Sequence, residues 1–362
     1  MNFLSKCTLL FLLFLTANSY GRGVHEYVTT SYNNGDFKLV WENFVADIYV
    51  NEAENVAVLH CAKDFISDVQ RITGKKPTLK HTTSGLSRHA IIVGTLGQSK
   101  VIRDLVKAGK IDVSEVEGKW ETFLIQVVSN PLPGIDKGLV IAGSDRRGAI
   151  YGMYDVSENT GVSPWYWFAD VHPKKQTALV VKNGTYREGP PSVKYRGIFI
   201  NDEMWSLTPW ARNTFAPHEP KGLGPTSYAK IFELMARLRC NYLWPAMHDW
   251  PFKLPYSAFN QFEDNKVVAD QHAIVMGASH IEPMLRNNMP GAEWDEELPG
   301  QPYDYRDNKE NIYKYWEKRV KTNGKYENIW PLGKRGRNDH RGKDVDLPML
   351  TNIISDQRQM LK

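Results

Sequence analysis

YRGIFINDE, Tyr195 to Glu203, decides how the second half of the chain is read. An apolar run, Tyr195 to Ile200, ends abruptly in Asn201, Asp202 and Glu203, with Trp205 close behind. A short run buried on both faces and closed by polar residues suits a strand of a parallel sheet fed by helices. The residues downstream keep that rhythm. Ser227 to Leu238 has helical periodicity, Asn241 to Pro245 and Ala273 to Gly277 read as strands, Asn308 to Lys321 as a helix, and Ile329 to Gly333 as a fourth strand. Four strands are half of an eight-stranded β/α barrel, which takes about 250 residues. The expectation for residues 192–362 is therefore the first half of a (β/α)8 TIM-type barrel. The open pairing groups of its outer strands would make the isolated chain inactive and prone to aggregate.

Upstream, Asp36 to Lys182 alternates strand-like and helix-like stretches. Phe37 to Trp41, Ala46 to Val50, Ala90 to Gly94, Phe123 to Val128, Leu139 to Ala142 and Ala178 to Val181 read as strands. Val58, Leu59, Ala62, Phe65, Ile66, Val69 and Ile72 recur at helical steps up to Gly74, a second helix carries Val101 to Val106 and stops by Gly109, and a third opens near Asp145. This predicts a mixed α/β sheet domain over 24–188, separated from the barrel portion by Gly184 to Pro191, with its Gly189-Pro190-Pro191.

Lys6, the apolar run Cys7 to Thr16 and the small residues Ala17 and Ser19 read as a cleaved secretory signal over residues 1–19. The run is well short of the ~20 residues a spanning helix needs. The expected location is secreted, extracellular or periplasmic, with no membrane partner after cleavage. A net charge of +4 over 362 residues, with no block of lysine or arginine, argues against a nucleic-acid partner. Eleven Trp and 17 Tyr stand out more. Most serve the core, but flat aromatic side chains also cover the C–H faces of sugar rings. Cys61 and Cys240 fall in different predicted domains; a disulfide is open to a secreted protein, and two buried thiols are the favoured reading. Asn183-Gly184-Thr185 is a glycosylation sequon.

In parallel β/α folds the working residues follow the C-terminal ends of strands. Here those positions hold Asn201, Asp202, Glu203 and Trp205; then Trp244, His248, Asp249 and Trp250; then Ser279, His280, Glu282 and Arg286; and last Arg335, Arg337, Asn338, Asp339 and His340. Carboxylates set among arginines and tryptophans suit glycoside hydrolysis, in which one acid protonates the leaving oxygen and another group activates water or attacks. Glu203 and Asp339 are the candidates. Asp202-Glu203 also reads as an ordinary cap, and since neighbours rarely face one site, Glu203 is taken as the inward one. His280 has no second His or Cys at ligand spacing, so no metal site is expected.

Five ordered blocks resemble the xylan α-1,2-glucuronidases of glycoside hydrolase family 115: GSDRRGAIYGMYDVSENTGVSPWYWFADV (Gly143 to Val171), YRGIFINDE (Tyr195 to Glu203), NYLWPAM (Asn241 to Met247), IVMGASHIEPMLR (Ile274 to Arg286) and YENIWPLGKRGRND (Tyr326 to Asp339). The resemblance implies an inverting acid/base enzyme that removes glucuronic acid, often 4-O-methylated, from glucuronoxylan or xylo-oligosaccharides without metal or organic cofactor. It implies a longer full-length form, with room for a homodimer, whose base lies on a later strand. By position Asp339 becomes the general acid, with Glu203 beside it. Substrate contacts are then expected from Asp202, Trp205, Trp244, His248, His280, Asn338 and Arg335, the last as a guanidinium fork for the uronate. Trp165 and Tyr166, on the turn through Trp167, would border the pocket from the first domain, unless that turn only plugs the core. The chain departs from the family's usual pattern at His248, Ile281 and Lys334. Two other readings stay open: a non-catalytic carbohydrate-binding protein, or a degenerate fragment of such an enzyme. A β-hexosaminidase-like enzyme, with a small α/β domain ahead of its barrel, is a further one.

Overall fold

A computed structural model describes residues 26–201, 206–219, 223–247, 258–337 and 345–362. Up to residue 188 the chain runs β1 (Val28–Thr29), β2 (Phe37–Trp41), β3 (Phe44–Val45), β4 (Asp47–Val50), α1 (Val56–Thr73), β5 (Leu79–Lys80), β6 (His89–Thr95), α2 (Lys100–Lys107), β7 (Phe123–Ser129), β8 (Lys137–Gly143), α3 (Arg146–Asn159), β9 (Leu179–Val181) and β10 (Thr185–Glu188). Beyond it come β11 (Gly197–Phe199), α4 (Leu207–Trp210) running into a π-helical turn at Ala211–Phe215, α5 (Pro225–Arg237), β12 (Tyr242–Trp244), α6 (Glu263–Gln271), β13 (Val275–Met276), α7 (Glu293–Glu297), α8 (Lys309–Asn323) and α9 (Leu347–Met360).

Local chemistry places the early elements where the periodicity puts them. Asn55 opens α1 by accepting the Ala57 N–H at 3.0 Å. Asp145 opens α3 by accepting the Gly148 N–H at 2.8 Å, and its other oxygen takes the Glu121 N–H at 2.7 Å, so one carboxylate fixes both the helix and the approach to β7. Gly148 is required there. A Cβ on it would lie 2.3 Å from the Thr122 carbonyl oxygen.

A six-stranded sheet has the order β10-β7-β8-β6-β4-β5, and a four-stranded one the order β1-β9-β2-β3. In the larger sheet β4, β5, β6 and β8 are parallel, while β7 and β10 run against their neighbours. The fold is thus mixed α/β, as expected. The stretch from Gly184 to Pro191 is not all linker, because Thr185 to Glu188 pairs with Phe123 to Gln126. Its polar sequence reads as a turn, yet the outer edge of β7 needs backbone partners that only a neighbouring strand supplies.

The third sheet is parallel, with β11, β12 and β13 side by side in chain order, α5 between the first two and α6 between the last two. Asn328 extends it by a single parallel bridge to Met276, through the bonds Met276 N–H to Glu327 O at 3.1 Å and Ile329 N–H to Met276 O at 2.9 Å. Ile329 to Gly333 therefore does not form the expected fourth strand. Pro331 has no N–H to give a ladder, and both backbone groups of Gly333 are taken by the Gln357 side chain on α9, each at 2.7 Å. Burial on both faces, expected for every strand here, holds at Leu243, Val275 and Met276 but not at Ile198 and Phe199, which are each 45% exposed. β11 is an edge strand, with no neighbour among the described residues on its other side.

Helices α1 and α3 pack against α5 and α6, so the core of the first two sheets reaches Ala236 and Ala273. Cys61 and Cys240 are both free thiols. Among the described residues no helix is long and apolar enough to cross a membrane.

Candidate active site

Because β11, β12, β13 and the Asn328 bridge all run the same way, their C-terminal ends share one edge of the sheet. That edge brings together the segments carrying Asn201, Trp244, His280 and Arg335. Asp202, Glu203, Trp205, His248, Asn338 and Asp339 lie outside the described residues. The candidate acid pair thus enters through its neighbours rather than through its own geometry.

At the first two strand ends Ile200 donates its N–H to the Trp244 carbonyl at 2.9 Å. The Trp244 ring lies against Phe199, centroids 4.5 Å apart and planes 34° apart. Trp244 Nε1 is buried and has no hydrogen-bond partner among the described residues. A buried indole N–H without an acceptor is costly, which fits a group kept for a ligand oxygen.

After β13 the chain turns back on itself. Glu282 is almost wholly buried, and its carboxylate accepts the Ser279 N–H at 3.3 Å, while Ser279 Oγ accepts from Ile281 N–H at 3.1 Å. This turn leaves His280 exposed. Arg286, at the end of the same block, is a structural residue. Its guanidinium lies 3.6 Å from the centre of the Tyr315 ring and pairs with Glu293 at 3.1 Å and Glu297 at 2.8 Å. Glu293 also pairs with Arg319 from α8. These buried charges satisfy one another and hold the third loop against α7 and α8.

The fourth segment is pinned twice before it reaches Arg335. Gln357 clips Gly333, and the Pro331 carbonyl accepts the Met284 N–H at 2.9 Å, which ties the third and fourth loops together. Lys334 sits 4.8 Å over the Tyr303 ring, and burial lowers its ammonium pKa. Arg335 is half-buried, while Arg337 is committed to Asp295 and donates from Nε to the Asn288 carbonyl at 3.4 Å.

The two aromatics expected from the first domain behave differently. Trp165 is 45% exposed. Tyr166 is half-buried, donates its hydroxyl to Glu233 Oε1 at 2.8 Å, and carries the Arg71 guanidinium 4.1 Å over its ring. Burial would raise the Glu233 carboxyl, but Arg237 and Lys230 outweigh it and bring its pKa down to about 2. Burial and the same carboxylate raise the Tyr166 phenol. Tyr166 thereby joins the seam between α1 and α5. It also lines an open cleft of about 900 Å³ with Trp167, Phe168, Asp170, His172, Ser206, Leu207 and Trp210. Sequence reasoning missed Arg71, Phe168 and Trp210 there. The aromatic run Trp165 to Phe168 was a signal for the first wall, but nothing in the sequence points to Arg71. Among the described residues no group of three His, Cys, Asp or Glu is gathered to hold a metal.

Residues 188–362 match the model of glycosyl hydrolase family 115. A solved structure described as a family GH115 4-O-methyl-α-glucuronidase, BtGH115A, with specificity for decorated arabinogalactans, is 36% identical, with a TM-score of 0.74 over 87% of this chain. This chain spans 39% of that one, about two fifths of its length. A Flavobacterium johnsoniae chitobiase is 11% identical, with a TM-score of 0.41 over 70% of this chain and 33% of its own. CpGH84B is 12% identical, with a TM-score of 0.43 over 82% of this chain and 40% of its own. Neither of these two likenesses carries an argument. No curated protein sequence matches the chain.

Proposed function

We propose that the chain is a member of glycosyl hydrolase family 115, which the match at residues 188–362 and the 36% identity to a structure of that family support, and that it serves to remove (4-O-methyl)glucuronic acid α-1,2-linked to xylan. The supporting observation is the third sheet. Three parallel strands stand in chain order, with a helix after each and a fourth bridge beyond, and the segments carrying Asn201, Trp244, His280 and Arg335 leave them at one edge. That succession suits the first half of a (β/α)8 barrel over 192–362, preceded by an α/β domain over 24–188 and a secretory leader that would take the enzyme out of the cell.

In this reading Asp339 is the general acid, and Glu203 stands in the same pocket. Inversion places the two working carboxyls ~6.5–9.5 Å apart, with a water between the sugar and the base. The base would come from a strand beyond the third sheet. Trp244 offers to a sugar oxygen its indole N–H, which has no partner among the described residues, Arg335 meets the uronate, and no cofactor is needed.

The test is release of 4-O-methylglucuronic acid from glucuronoxylan by this chain and by a full-length relative carrying the same blocks. Asp339→Asn should abolish release, and the sugar should first appear as the inverted anomer. If Asp339→Asn leaves turnover unchanged, the acid assignment is wrong. Arabinogalactan is run in parallel, because the solved structure 36% identical to this chain is described as specific for its decorated form. Binding of either polymer without turnover, by a full-length form, would favour the carbohydrate-binding reading.

A further inference from the structure

The open cleft at the seam is built unlike a gap left by imperfect packing. Trp210 lies flat on Phe215, with centroids 5.1 Å and planes 4° apart, and Trp167 meets both rings edge-on at 6.0 and 4.8 Å. Phe168 stands edge-on to Trp167 at 4.8 Å. The rings hold one another in place, so a ligand that stacks on them would order little that is not already ordered. Trp210 and Phe168 nevertheless stay 37% and 38% exposed.

The polar lining indicates which sugar this is. Arg71 and Asp170 bring one charge of each sign, and His172 is exposed beside them. The Arg71 guanidinium is already committed, since its Nη1 donates to the buried Asp68 at 2.6 Å. With Arg71 spent on Asp68, the charge left in the lining is that of Asp170, which would repel a uronate rather than select it. Position along the chain adds a second argument: Ser206 and Leu207 in the wall come a few residues after β11, whose C-terminal end belongs to the edge at which the uronic acid would be cut. We propose that this cleft is a subsite for the neutral pyranosyl main chain of the polymer, stacked on Trp210 and Phe168 with Asp170 and His172 on its hydroxyls. This deepens the hydrolase reading and rests on it for the identity of the polymer. A cavity of this size suits two or three sugar units.

The probes are unbranched xylohexaose, a neutral galacto-oligosaccharide prepared from arabinogalactan, and free glucuronic acid, each titrated into the chain with tryptophan fluorescence as the readout. One or both neutral oligosaccharides should bind, and the tighter of the two names the main chain. Trp210→Ala and Phe168→Ala should each weaken that binding about tenfold or more, the loss of one good stacking contact. Any response to free glucuronic acid should be indifferent to both substitutions. Circular dichroism shows whether each variant folds, and the exposed Phe168 keeps the test alive if Trp210→Ala does not. No neutral binding up to millimolar oligosaccharide, or binding that survives in both variants, overturns the proposal. Repeating the titration with Asp339→Asn separates the two readings, because main-chain binding should persist there whether or not uronic acid is ever released.

Discussion

Arg237 holds Asp68 with both terminal nitrogens, Nη1 on Oδ2 at 2.8 Å and Nη2 on Oδ1 at 3.0 Å, across 169 residues of chain. Both side chains are buried, and each has a second partner: Arg71 on Asp68 at 2.6 Å, and Glu233 on Arg237 at 3.0 Å. The pair joins α1 to α5, and so ties the first two sheets to the parallel one.

Removing one partner leaves the other buried with only its second contact, Arg71 for Asp68 or Glu233 for Arg237, to balance its charge. Asp68→Ala or Arg237→Ala should each cost about 3–5 kcal/mol of stability. The double replacement Asp68→Leu with Arg237→Met should cost much less than the two single changes added together. Urea denaturation of the three variants measures this, and additive losses would show that the pair does not act as a unit.

His272 gives the seam a pH dependence. Burial, with the neighbouring His60, lowers its imidazole pKa to about 4, against an ordinary value near 6.5, even though its Nδ1 meets the Val268 carbonyl at 2.8 Å. Between those values the unfolded chain binds a proton that the folded chain refuses. The contribution to stability is therefore intact above about pH 6.5 and is lost as pH falls toward 4. Melting temperatures should drop over that range, and His272→Asn should flatten the drop.

At Gly197 β11 lies close against β12, since a Cβ there would lie 1.8 Å from the Tyr242 carbonyl oxygen. Backbone cannot retreat as the end of a flexible side chain can. Gly197→Ala should destabilise the parallel sheet by about 1–3 kcal/mol. Hydrogen exchange should show lost protection at Asn241 and Tyr242, whose N–H groups bond the Arg196 carbonyl at 2.8 and 3.1 Å.

Gln357 is the clip on the fourth loop. Gln357→Ala frees both the N–H and the carbonyl of Gly333 in a buried setting, a loss of about 1–3 kcal/mol. Gly333 precedes Arg335 by two residues, so a full-length enzyme carrying the change should lose kcat more than its thermal stability alone explains. An unchanged kcat would show that the clip does not position the loop.

The early elements were legible because local signals and burial agree. The helix from Val58 to Ile72 has its apolar face and its capping Asn55, and the strands at Phe37 to Trp41 and Phe123 to Val128 have continuous apolar runs. β10 was hidden because its residues are polar and it is a strand only by virtue of the edge it covers. Ile329 to Gly333 was misread for the opposite reason. Its composition is that of a strand, but Pro331 and the Gln357 clip take away the backbone groups a ladder uses.

By itself the sequence determined most of the strands and helices ahead of residue 184, the positions of β11, β12 and β13, and the ordered motifs that carry the family resemblance. All of these rest on side chains near one another along the chain. Only the tertiary structure decided that Arg237 answers Asp68, that Arg286 is spent on Tyr315, Glu293 and Glu297, and that Trp210 faces a cleft with Phe168 and Arg71. The first of these depends on how helices from separate sheets pack, and charge complementarity over 169 residues leaves no periodic trace in the chain; the others depend on where the turns after β11 and β13 and after α3 fold back, which no helical or strand period records.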